Sequence, residues 1–351
     1  MLNVKTRPLL VSDFDYKLPA ELIAQQPLAE REQSRMMVLH RETKEIIHSQ
    51  FSEFPSYLQK DNVLVLNTTK VIPARVYGQK EGKEIEFLFL KEKEKGLWDV
   101  LCRPAKRVQI GDIIFFAEDL EGQIVDVGPE GRRTIRFAAG DILPKLNKFG
   151  FAPLPPYIKR HSENPELRTM DLERYQTVFA QKEGAIAAPT AGLHFTPDIL
   201  KEIKAKGVRI VRITLDVGLA TFQPVRVKKT EDHLMLEENY TISPSASRVI
   251  NEAKKLSRPV CAVGTTSVRT LESAFQGGKI HSGAGSTQLF VYPGYQFKAV
   301  DRLLTNFHLP RSTLLMMVSA FAGLDFIKKA YTEAVRQKYR FYSYGDCMLI
   351  I

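Results

Sequence analysis

The sequence predicts an α/β fold: a main domain of alternating strands and helices, with a small antiparallel, barrel-like β domain inserted into it. Three observations carry that expectation. Strand-like and helix-like stretches alternate after Pro155 and Pro156. From Val71 to about Gly140 the texture differs, with short β-rich runs split by Gly, Pro or charge clusters. A chain of 351 residues is also long enough for two units at the usual ~100–200 residues each. The expected boundaries are 1–69 for the first part of the main domain, 70–156 for the insert and 157–351 for the second part.

The elements follow in order. Residues 13–26, DFDYKLPAELIAQQ, offer an N-cap-like polar stretch, Pro19 at a helix start and a short helical pattern. NVLVLNTT at 62–69 is an apolar run that ends in polar residues, the mark of a buried strand. EIEFLFL, WDVLCRP, DIIFFAE, GQIVDVG and RTIRFAA supply the short strands of the insert. TPDILKEIKAKG is a helix, VRIVRITLDVG a strand, and SASRVINEAKKLS a helix opening on Ser/Pro caps. RPVCAVGTTS reads as a further strand and VRTLESAFQGG as a helix. STLLMMVSAFAG and IKKAYTEAVRQKY close the chain as helices.

Composition narrows the class. Fifty Lys and Arg against forty Asp and Glu leave a formal charge of +10, which favours an anionic partner, nucleic acid ahead of a membrane surface. Cys102, Cys261 and Cys347 are far apart, and no C-x-x-C pair supports a disulfide framework or a cysteine zinc site. The N-terminus lacks the sustained apolar stretch of a signal peptide. LLMMVSAFAGL at 314–324 falls short of the ~18 residues that span a bilayer. The expectation is a cytoplasmic protein with no membrane association and no metal.

Several stretches carry candidate chemistry. AAPTAGLHFT at 187–196 reads either as a binding loop with an imidazole, His194, or as a tight turn before a helix. In VCAVGTTSVRTLES at 260–273 a strand ends at Gly264, and three hydroxyls precede Arg269 on a new helix. That arrangement suits an anion, and equally suits a capped helix start. It lacks the lysine and spacing of a Walker loop. TNFHLPRSTLL sets Asn306 and His308 before another helix start, where ligands gather in α/β sheets. EDHLMLEENY clusters Glu231, His233 and Glu237, by default a solvated charged face. RPAKRV, GRRTIR and YIKRH are basic clusters that could meet phosphates.

Taken together, these stretches resemble the S-adenosylmethionine:tRNA ribosyltransferase-isomerase family of queuosine biosynthesis. The resemblance runs nearly end to end, through LPAELIAQQPLAEREQSRMMVL, LVLNTTKVIPAR, PLPPYIKR, ERYQTVFA, AAPTAGLHFT, VGLATFQPV, VGTTSVRTLES, TQLFVYPGY, TNFHLPRSTLLMMVSAFAG and YRFYSYGDCMLII. The chain departs from the family's pattern at Asp216 and Leu236, where histidine is usual, and at Ala220, where glycine is usual. Thr68 and Lys70 stand where Asn and Arg are common.

The resemblance implies transfer of the ribosyl part of S-adenosylmethionine onto the 7-aminomethyl-7-deazaguanine base at the tRNA wobble position. The ribose rearranges into an epoxycyclopentanediol while adenine and methionine leave. S-adenosylmethionine is then a co-substrate, and no separate cofactor is needed. Removing a proton beside the sulfonium and protonating adenine call for groups titrating near neutrality, and histidine starts nearest. His194, His308 and Asp216 are therefore the expected catalytic residues. Thr190, Ala191, Gly192, Thr265, Thr266, Ser267, Arg269 and Asn306 are expected to hold S-adenosylmethionine, Arg269 as a fork for its ribose or carboxylate. Arg75, Lys106, Arg107, Lys159 and Arg160 are expected to meet tRNA, and a monomer is favoured.

Overall fold

The structure is a computed structural model that describes residues 8–117, 119–138, 140–160, 164–218 and 225–351. Two strands open it, β1 (Arg35–Leu39) and β2 (Ile46–Gln50), followed by β3 (Val63–Asn67) and the short β4 (Thr69–Val71). Six strands then follow without a long helix: β5 (Arg75–Lys80), β6 (Lys83–Glu94), β7 (Leu97–Arg103), β8 (Ile113–Ala117), β9 (Leu120–Val127) and β10 (Arg132–Phe137). They close into an antiparallel barrel in the order β10-β7-β6-β5-β8-β9. Ile85, Phe87 and Phe89 alternate with more exposed neighbours along β6 and fill the interior beside Trp98, Val100 and Ile135. Gly122 leaves room for that filling, because a Cβ there would lie 2.5 Å from Ile135 and 2.7 Å from Phe137.

The chain leaves the barrel through α1 (Leu143–Phe149), α2 (Pro165–Arg174) and the short β11 (Lys182–Ala185), which pairs parallel with β4. Next come α3 (Pro197–Ala205), β12 (Arg209–Leu215), β13 (Glu238–Ile242), α4 (Pro244–Lys255), β14 (Val260–Val263) and α5 (Thr265–Ala274). A small hairpin, β15 (Phe275–Gln276) with β16 (Lys279–Ile280), precedes β17 (Gly283–Thr287) and β18 (Arg302–Asn306). Helices α6 (Thr313–Ala322) and α7 (Leu324–Arg336) lead to the last strand, β19 (Cys347–Ile350). Thr196, Ser243 and Ser312 cap α3, α4 and α6, each accepting a backbone N–H three residues on, and proline opens α3 and α4.

Nine strands form one mixed sheet in the order β17-β13-β12-β3-β14-β18-β19-β1-β2, in which β12, β3, β14 and β18 run parallel. Both faces are covered. Val63, Val65, Val260 and Ala262 point into a core shared with α4 to α7. Leu64, Leu66, Cys261 and Val263 point into a second core with α3 and the turn at 51–57. Burial on both faces is why these strands read as unbroken apolar runs.

The helix expected within residues 13–26 is corrected: only two 3-10 turns form there, Val11–Phe14 and Ala20–Leu22. After the second turn the backbone pairs with the C-terminal segment instead. Phe341 N–H donates to the Leu22 carbonyl, and Ala24 N–H to that of Phe341. Strands β1, β2, β18 and β19 and helix α2 were not foreseen from the sequence pattern.

Candidate functional site

The four parallel strands end on one edge, and the segments that leave β12, β14 and β18 build a cleft. After β14 the chain turns at Gly264, whose φ of +83° is a conformation that favours glycine, and α5 begins at once. After β18 the segment Phe307–Leu309 runs to α6. The loop at 187–191, Tyr157, Tyr175, Tyr342 and Ser343 complete the walls. The cleft is partly open to solvent, with a volume of about 80 Å³.

His308 sits on this wall. Its Nε2 is 2.9 Å from Thr305 Oγ1, and its backbone is pinned by two phenols. Tyr16 OH donates to the His308 carbonyl at 2.5 Å, and His308 N–H donates to Tyr331 OH at 2.9 Å. Burial lowers its pKa to about 3.

His194 is placed differently. It lies behind the cleft, in a small cavity with Arg31, Arg174 and Arg340, and both ring nitrogens are engaged. Ser34 Oγ is 2.7 Å from Nδ1 and 3.2 Å from the Arg31 carbonyl, to which it donates. Its oxygen therefore accepts from Nδ1–H, leaving Nε2 bare to accept from Asn306 Nδ2 at 3.2 Å. Burial first, then Arg31 and Arg340, lower the His194 pKa to about 3. Both imidazoles are neutral well below their ordinary value, where the sequence suggested titration near neutrality.

Asn306 links His194 to the cleft. It is 2 % exposed. Its Nδ2 also faces the carbonyls of Tyr342 and Asp346 at 3.3 and 3.4 Å, which fixes the amide's orientation. Its Oδ1 is buried without a partner among the described residues.

Of the other expected binding residues, Thr190, Ala191, Thr265, Thr266 and Arg269 line the cleft. Gly192 and Ser267 do not. A Cβ at Gly192 would meet Phe179 at 2.7 Å and Thr177 at 2.9 Å, so the glycine serves packing. Ser267 Oγ donates to the Val263 carbonyl at 2.7 Å inside the core. The fork of Arg269, expected to grip a ligand, is engaged within the protein by Glu238 and by the carbonyls of Leu289 and Thr287.

A second, larger cavity of about 490 Å³ lies between the barrel and the main sheet. Trp98, Asp99 and Arg132 face it from the barrel, and Glu183, Asp216, Leu236 and Glu237 from the other side. Val217 and Glu238 line both cavities, which therefore adjoin. Asp216 and Leu236, two departures from the family pattern, share this second cavity. Glu183 is paired with Lys70 at 2.9 Å and Asp99 with Lys93 at 2.7 Å. Asp216 accepts from Thr69 Oγ1 at 3.3 Å and makes no ion pair among the described residues. The stretch at 231–240, expected to be a solvated face, does expose Glu231, Asp232 and Glu237, and it also sends Met235 to the first cavity and Leu236 to the second.

The basic residues divide in the same way. Lys106, Arg107 and Lys159 are exposed. Arg160 is held by Asp171 through two bonds of 2.7 Å, and Arg75 donates to the Leu154 carbonyl at 2.7 Å. Ala220 and His161 lie outside the described residues. Sequence reasoning assigned no role to Met235, Glu238 or the arginines around His194, although EDHLMLEENY holds the first two and PLAEREQSR, ERYQTVFA and YRFYSYGD hold Arg31, Arg174 and Arg340. Among the described residues no group of three or more His, Cys, Asp or Glu gathers as metal ligands, and no helix is long and apolar enough to cross a membrane.

Adjoining cavities at the carboxyl ends of parallel strands, one of them walled by an inserted barrel, define an α/β protein with a composite ligand site. Comparison with known proteins then places it: the chain belongs to the queuosine biosynthesis protein family, whose model matches residues 11–350. It is 49% identical over 346 residues to the S-adenosylmethionine:tRNA ribosyltransferase-isomerase of Desulforamulus reducens, covering 97% of this chain and 99% of that one. It is 50% identical over 347 residues to the enzyme of the same name from Moorella thermoacetica, with the same coverage. Among solved structures it resembles the S-adenosylmethionine tRNA ribosyltransferase of Thermotoga maritima, at 38% identity and a TM-score of 0.56, over 97% of this chain and all of that one.

Proposed function

We propose that the protein is a transferase that moves and isomerises the ribosyl part of S-adenosylmethionine onto 7-aminomethyl-7-deazaguanine at the tRNA wobble position. Epoxyqueuosine-tRNA forms, and adenine and methionine leave. The observation that carries this reading is the pair of adjoining cavities in a chain related over its whole length to enzymes of that name. A two-substrate reaction needs its partners held side by side in one orientation. The chain acts in the cytoplasm, needs no metal, and divides at 1–69, 70–156 and 157–351.

In this assignment S-adenosylmethionine occupies the cleft of Thr190, Thr265, Thr266 and Asn306. The everted base enters the larger cavity, an established strategy for enzymes that act on bases. His308 takes the proton from the 5′ carbon. It then passes that proton to the departing adenine, which leaves in the same cleft. Asp216 accepts a proton from the substrate's ammonium so that the amine attacks in its neutral form. His194 acts by holding Asn306. Exposed Lys106, Arg107 and Lys159 meet RNA phosphates.

The test is to incubate the protein with S-adenosylmethionine, with and without tRNA bearing the precursor base, and to measure free adenine. Release only with the RNA is expected; none in either arm would overturn the reading. Asp216→Asn is expected to lower kcat with the modified tRNA, and an unchanged kcat would remove Asp216 from its role.

A further inference from the structure

Asn306 has an acceptor with nothing to accept. Its two amide hydrogens are committed to His194 Nε2 and to the carbonyls of Tyr342 and Asp346. Turning the amide over would set its oxygen against two carbonyl oxygens, so the orientation is fixed. Oδ1 is therefore left buried and unpaired in a side chain that lines the first cleft. Buried polar atoms are satisfied in nearly all native structures, and an exception calls for an explanation. A ligand N–H supplies one.

The surroundings select which N–H. The only carboxylate on the cleft wall among the described residues is Glu238, and Arg269 neutralises it. A neutral N–H donor needs no counter-charge at Oδ1. The rings of Tyr157 and Tyr342, packed on each other with centroids 4.7 Å apart and planes 52° apart, line the same cleft and make that part of its wall aromatic. A neutral amide oxygen beside aromatic rings suits the exocyclic amine of a neutral planar base. Resting on the proposed S-adenosylmethionine site, we infer that Asn306 Oδ1 accepts from the 6-amino group of the adenine ring and so selects 6-aminopurine over 6-oxopurine nucleosides. A 6-oxo group would set two acceptors against each other. His194 and Ser34 behind Asn306 are positioning residues that aim the amide.

The inert thioether S-adenosylhomocysteine, its S-inosyl counterpart and its N6,N6-dimethyl derivative test this by calorimetry. Wild type is expected to bind the adenosyl compound at least about tenfold more tightly than either of the others, each of which lacks the amino hydrogens. Asn306→Ala is expected to bring the adenosyl and inosyl affinities within about twofold of each other, with an unaltered circular dichroism spectrum. A variant that keeps the full preference overturns the inference. Wild type that binds all three alike also overturns it, without need of any variant, and leaves the S-adenosylmethionine reading standing. Wild type that binds none overturns that reading and the inference together.

Discussion

Arg269 and Glu238 form a buried ion pair in the wall that the two cavities share. Arg269 is 5 % exposed and Glu238 4 %. Glu238 Oε1 also accepts from Gly218 N–H at 3.1 Å, so one carboxylate ties α5, β13 and the segment just after β12 together. Removing one partner leaves an uncompensated charge in the interior, which costs about 3–5 kcal/mol. Glu238→Ala is therefore expected to lower the free energy of unfolding by about 3 kcal/mol or more in urea titrations. The double variant Glu238→Ala with Arg269→Met should recover part of that loss. A single variant as stable as the parent would show that the pair is not holding the wall.

Stability should depend on pH through His194 and His308. Burial lowers both from 6.5 to about 3, so between those values the unfolded chain binds more protons than the native one. Stability then rises with pH across this window, is complete above about 6.5, and is lost as pH falls toward 3. The contribution is on the order of a few kcal/mol for each ring. Urea midpoints at pH 4.5 and 7 should differ strongly in the parent and less in His194→Asn. Equal pH dependence in the two proteins would mean that His194 titrates normally in the fold.

The two histidines should separate in kinetics. His308→Gln is expected to slow single-turnover adenine release by about 10²-fold or more, the usual scale of general acid–base assistance. His194→Gln, which acts only through Asn306, should weaken nucleoside binding more than it slows the bound complex. Equal slowing of the bound step in both variants would contradict the separation.

Binding to tRNA should weaken with added salt. Lys106→Ala, Arg107→Ala and Lys159→Ala are each expected to reduce the slope of log K against log salt by roughly 0.7, the value for a single-stranded phosphate contact. Arg160→Ala should instead lower stability, because its guanidinium is spent on Asp171. Affinity that ignores salt, measured by filter binding, would argue against this surface.

Much of the architecture was legible in the chain because it is local. The apolar alternation of Ile85, Phe87 and Phe89 marks a barrel strand, and Thr196-Pro197 and Ser243-Pro244 mark helix starts, wherever they sit in space. Strands such as Cys347–Ile350 escaped notice because four apolar residues fit a strand or a helix equally well, and only pairing with β1 and β18 decides. The loops at 187–191, 264–266 and 305–309 were visible as candidates from their glycines, hydroxyls and histidines, and the structure brings them to one cleft.

What the sequence determined alone was the set of groups: two loop histidines, a hydroxyl-rich turn, and a carboxylate at 216 with a leucine at 236. Tertiary structure decided their use. His308 faces the cleft and His194 stands behind it, because Ser34 and Asn306, 160 and 112 residues away, claim its two nitrogens. Gly192 serves Phe179, and Arg269 serves Glu238, by contacts no local pattern encodes. Periodicity and capping act within a few residues of the chain, whereas burial and hydrogen-bond partnership are set by whatever the fold brings near.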